Sequence, residues 1–213
     1  MLGIPQKFGK VDLVAAAEKN PNFETETAAG LGFSEAQQPD KALVYFEKAL
    51  TRNPTSGIAL NNVCSAYNSL KNWNMAIPNC EKAIGKDPNF QLAKNNLKYA
   101  QDQEQIQLKL IETLKAKSKS KDSKERRMAL VDLGFEYYKM ANYTEAVEIW
   151  KNVDKVKDDI SVRTLNNLGS AYIILKKFDL AQVSLEEAGE MDPNNQLVKN
   201  NMAWLKTEFT AKS

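Results

Sequence analysis

One stretch of the chain, residues 165–193, constrains its fold more than any other. Apolar residues recur there at helical spacing, first in Leu165, Leu168 and Tyr172 and again after a break near 176–178. The pattern predicts two antiparallel helices joined by a short turn. Because so short a unit cannot bury its own apolar face, it should stack on copies of itself.

A glycine lies inside the first of these predicted helices, at Gly169. Glycine in a helix costs roughly 1 kcal/mol relative to alanine, so its presence indicates that another helix packs closely against it. Ala181 and Ala188 supply small surfaces at the positions expected to face it, and Pro193 ends the second helix.

Copies of the unit occur three more times. Without gaps, Gly169 aligns with three earlier small residues, which are Gly30, Cys64 and Gly134. The four units begin near Phe23, Gly57, Arg127 and Val162, with a period of 34 residues in the first pair and 35 in the second. This pattern resembles the tetratricopeptide repeat family, whose unit is a helix-turn-helix of about 34 residues.

The resemblance implies an all-α fold, a tetratricopeptide-repeat α-solenoid whose helix-turn-helix units form a right-handed superhelix. Two departures from the family pattern are visible. Leucine replaces the favoured early tryptophan, as at Leu165, and Asp158 stands where the closing proline of the third repeat would be.

A similar segment follows each pair of repeats, at 89–98 and at 194–203, which indicates that a larger unit was duplicated. In each copy this segment should form a helix that covers the open end of the last repeat. The predicted organisation is an N-terminal arm and short helix at 1–22, a first lobe at 23–114 (repeats 23–56 and 57–90, then a capping long helix at 90–117), a basic hinge at 115–126, and a second lobe at 127–213 (repeats 127–161 and 162–195, then a C-terminal capping helix at 196–210).

Two points of this organisation stay open at the level of sequence. The helical segment 11–19 fits either a half-repeat whose alanines at 15–17 cover the first repeat or a frayed terminal helix. Residues 91–125 fit either one long helix followed by the hinge or a degenerate fifth repeat. We favour the long helix, because Leu110 and Lys117 occupy positions that should hold small residues in a fifth repeat.

Composition narrows the functional classes. The net charge of +2 is too small to indicate nucleic acid as a partner. No apolar run approaches the roughly 20 residues that would insert into a bilayer. The first ten residues lack the apolar core of a signal peptide, so a cytoplasmic location is favoured over export.

The residues available for catalysis and metal binding are equally limited. The chain has no histidine, the commonest general base and metal ligand, and no glycine-rich phosphate loop. No nucleophile is paired with a base, so we expect no enzyme activity, cofactor or metal. Cys64 and Cys80, the two cysteines, fall on the two helices of the second repeat. Reduced core thiols and a disulfide across the helical pair both fit, and reduced thiols are the commoner state in the cytosol.

Paired asparagines are the most informative feature for function. They fall at one register of four predicted helices, at 61–62, 95–96, 166–167 and 200–201. Asparagine is a mediocre helix former, so its recurrence suggests a use. A carboxamide can both donate to and accept from the main chain of an extended peptide. The pattern is similar to the asparagine ladder in the repeats of the O-linked N-acetylglucosamine transferase and of kinesin light chains, which implies peptide contacts by Asn62, Asn96, Asn167 and Asn201. The alternative is that duplication copied asparagines that only cap or solvate the groove.

The neighbours of these asparagines differ between the lobes. Tyr99 is expected beside the first set, and the second set adds Asn166, Arg163, Ser170 and Trp204. The second groove is the better candidate, since Trp204 can flank a pocket and Arg163 can meet a carboxylate. Members of the family that bind acidic chaperone tails use a clamp of lysines, asparagines and an arginine. Asp132 would repel such a tail, so that function is disfavoured.

Two functions follow as hypotheses. In the first, the chain is a non-enzymatic interaction scaffold that grips an extended or helical segment of another protein. In the second, the long helix pairs with its copy in a homodimer through a stripe of apolar residues, Ile106, Leu110, Ile111 and Leu114.

Overall fold

The computed structural model describes residues 10–210, and this part of the chain forms eleven helices and no strand. The predicted all-α fold of helix-turn-helix pairs is therefore confirmed. The chain divides into two compact units, one ending at Gln105 and the other beginning at Ile106, here called unit 1 and unit 2. Most of the predicted N-terminal arm, residues 1–9, lies outside the described part.

Unit 1 consists of a short first helix, two helical pairs and the beginning of a long helix. Their bounds are α1 Lys10–Lys19, α2 Phe23–Glu35, α3 Pro39–Arg52, α4 Gly57–Ser69, α5 Trp73–Lys86 and α6 Gln91–Lys117, of which α6 continues into unit 2. Helix α1 packs on α2 and covers the first pair. It does so with Val14 and the buried Ala17, while Ala15 and Ala16 are exposed.

Helix α6 is one uninterrupted helix, so the degenerate fifth repeat is excluded. The two units divide within it, whereas the sequence placed the division at the basic hinge of 115–126. The difference arises because Ile111 and Leu114 are buried against Leu133 and join the end of α6 to unit 2. The connection between α6 and α7 is only 118–122.

Unit 2 contains the other two helical pairs and a last helix. Their bounds are α7 Ser123–Lys139, α8 Tyr143–Lys151, α9 Asp159–Ile174, α10 Phe178–Met191 and α11 Gln196–Thr210. The largest apolar cluster of the unit surrounds Trp150, Leu168 and Leu185, and α11 adds Leu205 to it. Burial of this cluster supplies the main driving force for stacking the pairs.

The turn inside every helical pair uses the same backbone conformation. One residue per turn has a positive φ of 55–58°, and none of the four is a glycine: Gln37, Lys71, Ala141 and Lys176. A left-handed residue just after a helix lets the chain reverse within a few residues. Three of the four side chains are long and polar, and all four are exposed.

A small residue in the first helix of a pair meets the second helix at close range. At three of the aligned positions a Cβ atom would collide with one large side chain: Gly30 with Phe46, Gly134 with Trp150, and Gly169 with Leu185. The close approach predicted for Gly169 is confirmed, but the partner is Leu185 rather than the alanines on either side of it.

At the fourth aligned position Cys64 forms a disulfide with Cys80, with 5.3 Å between the two Cα atoms. The two reduced thiols that the sequence favoured are not what the structure contains.

Replacing Gly169 with alanine is expected to destabilise unit 2 by about 1–3 kcal/mol, despite the higher helix propensity of alanine. The new Cβ would lie 2.5 Å from Cγ of the fully buried Leu185, which has no room to move. Gly189→Ala is the matched control, because the nearest atom to its Cβ would be 3.9 Å away. Urea unfolding followed by circular dichroism should show a loss for the first variant and a small gain for the second. Equal behaviour would contradict the close approach.

A buried arginine ties the third repeat to the fourth. The guanidinium of Arg127 donates two hydrogen bonds to the carboxylate of Asp158, at 2.6 and 2.7 Å, and one to Oγ of Ser161 at 2.9 Å. Asp158 also caps α9 by accepting from the backbone N–H of Ser161. The aspartate that replaces the closing proline therefore fixes the start of α9.

Arg127→Met should lower the free energy of unfolding by about 3 kcal/mol, because it leaves a partly buried carboxylate without its partner. The adjacent Arg126 is a suitable control, since its ion pair with Asp154 is largely exposed. Arg126→Met should cost less than about 1 kcal/mol. Thermal and urea unfolding of the two variants provides the comparison.

The same ion pair should make stability depend on pH. Hydrogen bonds from Arg127 hold the pKa of Asp158 well below the ordinary value of 3.8. The stabilisation is therefore complete above pH 3.8 and is lost as the pH falls toward the lower pKa of the folded state. The difference in stability between wild type and Asp158→Asn should shrink on acidification below pH 3.8. A constant difference would exclude this contribution.

Candidate functional site

The paired asparagines divide into three groups, of which one, Asn95 and Asn200, only accepts from a glutamine of its own helix. Another group joins neighbouring helices: Nδ2 of Asn96 donates to Oδ1 of Asn61, and Nδ2 of Asn201 donates to Oδ1 of Asn166, both over 2.9 Å. The two bonds are equivalent, because each spans 35 residues and ties a capping helix to the repeat before it. Asn96 and Asn201 are therefore occupied by interhelical bonds, a role that the sequence did not suggest.

The third group consists of Asn62 and Asn167. Each is half-buried, and within residues 10–210 neither carboxamide has a hydrogen-bond partner. They are the members of the predicted ladder whose donors and acceptors remain available. Only Asn167 lies in the groove described next.

A groove of about 420 Å³ opens on unit 2 between α7, α9 and α11. Helix α7 contributes Val131, Asp132 and Phe135, and α11 contributes Leu197. The remaining lining residues come from α9 and from the connection that follows α10: Asp159, Val162, Arg163, Asn166, Asn167, Asp192 and Asn195. Three predicted site residues, Arg163, Asn166 and Asn167, are thus brought together.

Polar contacts fix several of these side chains. Nη2 of Arg163 donates to Oδ1 of Asp132 at 2.7 Å, so the guanidinium expected to meet a ligand carboxylate already has one. Asn166 is only 8% exposed and held by Asn201. Asp192 accepts from the backbone N–H of Asn194 and from Nδ2 of Asn195, which orders the rim next to α11.

The other predicted site residues lie elsewhere. Ser170 hydrogen-bonds to the hydroxyl of Tyr138 at 2.9 Å, and Trp204 is half-buried against the main cluster of unit 2 with its Nε1 on Glu208. Neither lines the groove. Tyr99 belongs to unit 1, where it packs edge-on against Trp73 at 5.9 Å between ring centroids.

Sequence reasoning missed most of the groove's apolar and acidic lining. Phe135 and Leu197 are 46% and 64% exposed, although both are large apolar side chains. Helical periodicity locates apolar residues but does not say which of them a neighbouring helix leaves uncovered. Asp159 and Asp192 are at helix ends, where an acidic residue ordinarily indicates only a cap or a helix-dipole contact.

The apolar stripe of α6 is only partly available for self-association. Ile111 and Leu114 are buried within unit 2, whereas Ile106 and Leu110 are exposed. Two of the four residues that were expected to pair with a copy are thus already covered. Among the helices in residues 10–210, none combines the length and the apolarity needed to cross a membrane.

One stretch of the chain matches a described protein family. Residues 162–195 match the tetratricopeptide repeat model. Sperm-associated antigen 1 of Rattus norvegicus and that of Mus musculus are each 32% identical to the chain over 81 residues, which is 37% of this chain. The match covers 9% of the length of those relatives.

Solved structures of repeat proteins are similar to the whole chain at low identity. The tetratricopeptide-repeat domain of P58(IPK) is 16% identical with a TM-score of 0.46, and covers 95% of this chain and 60% of its own. PilF of Pseudomonas aeruginosa is 17% identical with a TM-score of 0.41, over 91% and 87%. YrrB, a repeat protein with an unusual peptide-binding site, is 16% identical with a TM-score of 0.40, over 90% and 97%.

Asn201→Ala should destabilise unit 2 by about 1–3 kcal/mol, because it leaves the nearly buried Oδ1 of Asn166 without a donor. Asn200→Ala is the control: Asn200 is exposed, and its Oδ1 accepts only from Gln196 in the same helix. That change should cost less than about 0.5 kcal/mol. Urea unfolding by circular dichroism measures both, and equal losses would mean that the interhelical bond contributes nothing.

Proposed function

We propose that this chain, whose residues 162–195 match the tetratricopeptide repeat model, is a non-enzymatic interaction scaffold whose unit 2 groove binds an extended or helical segment of another protein. The observation that carries the proposal is the half-buried, unpaired carboxamide of Asn167 in a groove between the first helices of two repeats and the capping helix. In that position it can donate to and accept from a bound main chain without selecting side chains.

Apolar surface at both edges of the groove supports the same function. Phe135 and Leu197 rise from α7 and α11 on either side of α9, and each leaves about half or more of its side chain exposed. Covering such surface with an apolar side chain of a ligand supplies affinity at about 25 cal/mol per Å². Hydrogen bonds from Asn167 to the main chain of the ligand would then fix the register and direction in which the ligand lies in the groove.

The groove lining offers no catalytic arrangement. It contains carboxylates, amides, one guanidinium and apolar side chains, and no residue in it is a serine, threonine, cysteine or histidine. Arg163 and Asp132 are paired with each other, which holds them in place at the groove wall. These features support binding as the use of the groove.

The decisive comparison is between two equivalent asparagines. Wild-type protein would select binders from a random-sequence peptide library, and the affinities of the selected peptides would be measured by fluorescence anisotropy. Asn167→Ala should weaken binding about threefold to tenfold, the contribution of one or two hydrogen bonds. Asn62→Ala removes the matching unpaired carboxamide from unit 1 and should leave those affinities unchanged.

Both variants must first match the wild type in helicity and melting temperature. Failure of the library to yield any binder, or equal effects of the two substitutions, would reject the groove as a peptide site.

A further inference from the structure

Resting on the proposed function, we infer that the segment bound in the unit 2 groove is positively charged, with a lysine or arginine directed to Asp159 and Asp192 and apolar side chains on Phe135 and Leu197. The starting observation is charge. Of the residues that line the groove, three are aspartates and one is an arginine, which gives the lining a net charge of −2. The chain as a whole carries +2, so the groove is opposite in sign to the molecule.

The three aspartates of the groove differ in their partners. Asp132 is neutralised by Arg163 at 2.7 Å. Asp159 is exposed and, within residues 10–210, no side chain pairs with it. Asp192 has only neutral donors, the backbone N–H of Asn194 and Nδ2 of Asn195, so its charge is retained. The uncompensated carboxylates are therefore those of Asp159 and Asp192.

Several cations lie near these two carboxylates, among them Lys199 and Lys206, which line a neighbouring depression together with Asp192. Arg127 lies within electrostatic range of Asp159, but it is bound by both carboxylate oxygens of Asp158. A second depression shares Asp132 with the groove and is lined by two lysines and by Asp122 and Glu125. A cationic ligand side chain is the partner that would balance the groove.

The apolar part of the groove indicates which side chains should flank the basic residue of the ligand. Phe135 and Leu197 leave large apolar surfaces exposed beside the carboxylates, and the methylene stem of a lysine or arginine can cover such surface, which a compact ion cannot. Nζ of Lys139 already lies 5.5 Å from the centroid of the Phe135 ring, so the ring contributes apolar surface rather than a vacant cation site. The ligand chemistry is thus a basic residue flanked by apolar ones. A free inorganic cation would use the carboxylates and leave the apolar surface exposed.

The duplicated half of the chain provides an internal contrast. In the repeat register, Asp159 corresponds to Pro54, Arg163 to Ile58, and Asp132 to Ala28. Asp192, in contrast, corresponds to Asp87, so both copies carry that aspartate. The charge that belongs to unit 2 alone is therefore that of Asp159, together with the Asp132–Arg163 pair.

The test uses three versions of one library-selected peptide that differ at a single position occupied by lysine, glutamine or glutamate. Wild-type protein should bind the lysine version roughly twofold to fivefold more tightly than the glutamine version, and the glutamate version should be weaker again by a similar factor. The preference should fade as salt is raised from about 0.05 to 0.5 M.

Matched variants assign the preference to one carboxylate. Asp159→Asn should reduce the preference for lysine toward none, and Asp159→Glu should retain it. Asp179→Asn is the control: Asp179 likewise lies in the first turn of its helix, α10, but does not line the groove. Asp179→Asn removes one negative charge and one favourable contact with a helix dipole, as Asp159→Asn does. The Asp179→Asn variant should nevertheless keep the full preference for the lysine peptide.

The outcomes separate this inference from the function on which it rests. Tight binding without a preference for lysine, or a preference that Asp159→Asn and Asp179→Asn alter equally, overturns the inference and leaves the peptide groove intact. Absence of any binder in the library overturns both. Weaker binding of all three peptide versions to Asn167→Ala, with the lysine preference present in the wild type, supports both.

Discussion

Close contact between the two helices of each pair is the constraint on which the rest of the structure depends. A residue with little or no side chain in the first helix leaves room for one large side chain from the second, and the same register recurs in three pairs: Gly30 with Phe46, Gly134 with Trp150, and Gly169 with Leu185. In the remaining pair the Cys64–Cys80 disulfide occupies this position. Van der Waals packing in three pairs and a disulfide in the fourth thus have the same effect. Each holds the two helices of its pair at a fixed separation.

Because the pairs are fixed in this way, the first helices of unit 2 lie next to one another with α11 beside them. The bond between Asn166 and Asn201 then sets the position of α11, and Arg127 with Asp158 sets the start of α9. These contacts hold the walls of the groove, while Asn167 keeps its carboxamide unpaired within it. The polar groups that stabilise the groove and the polar group that can bind a ligand are different residues one position apart.

The two units contain equivalent copies of this framework but carry different side chains on it. The interhelical asparagine bond is the same in both units. Asp159, Arg163 and Asp132 of unit 2 correspond to uncharged residues in unit 1, whereas Asp192 corresponds to Asp87. We therefore expect any difference in ligand preference between the units to arise from the side chains that differ.

The sequence by itself determined the all-helical fold, the four helical pairs and the close approach at Gly169, because each follows from local periodicity or from a residue type that is costly in a helix without such a contact. It favoured the long α6 without excluding a fifth repeat. Tertiary structure decided the rest. Which asparagine of each pair bonds to a neighbouring helix, which of the three groove carboxylates forms an ion pair, and which apolar side chains stay uncovered all depend on residues about 30 or more positions apart in the chain. A repeating pattern specifies the helix face on which a side chain lies. It does not specify which residue of a neighbouring helix contacts that side chain, and only the tertiary structure shows this.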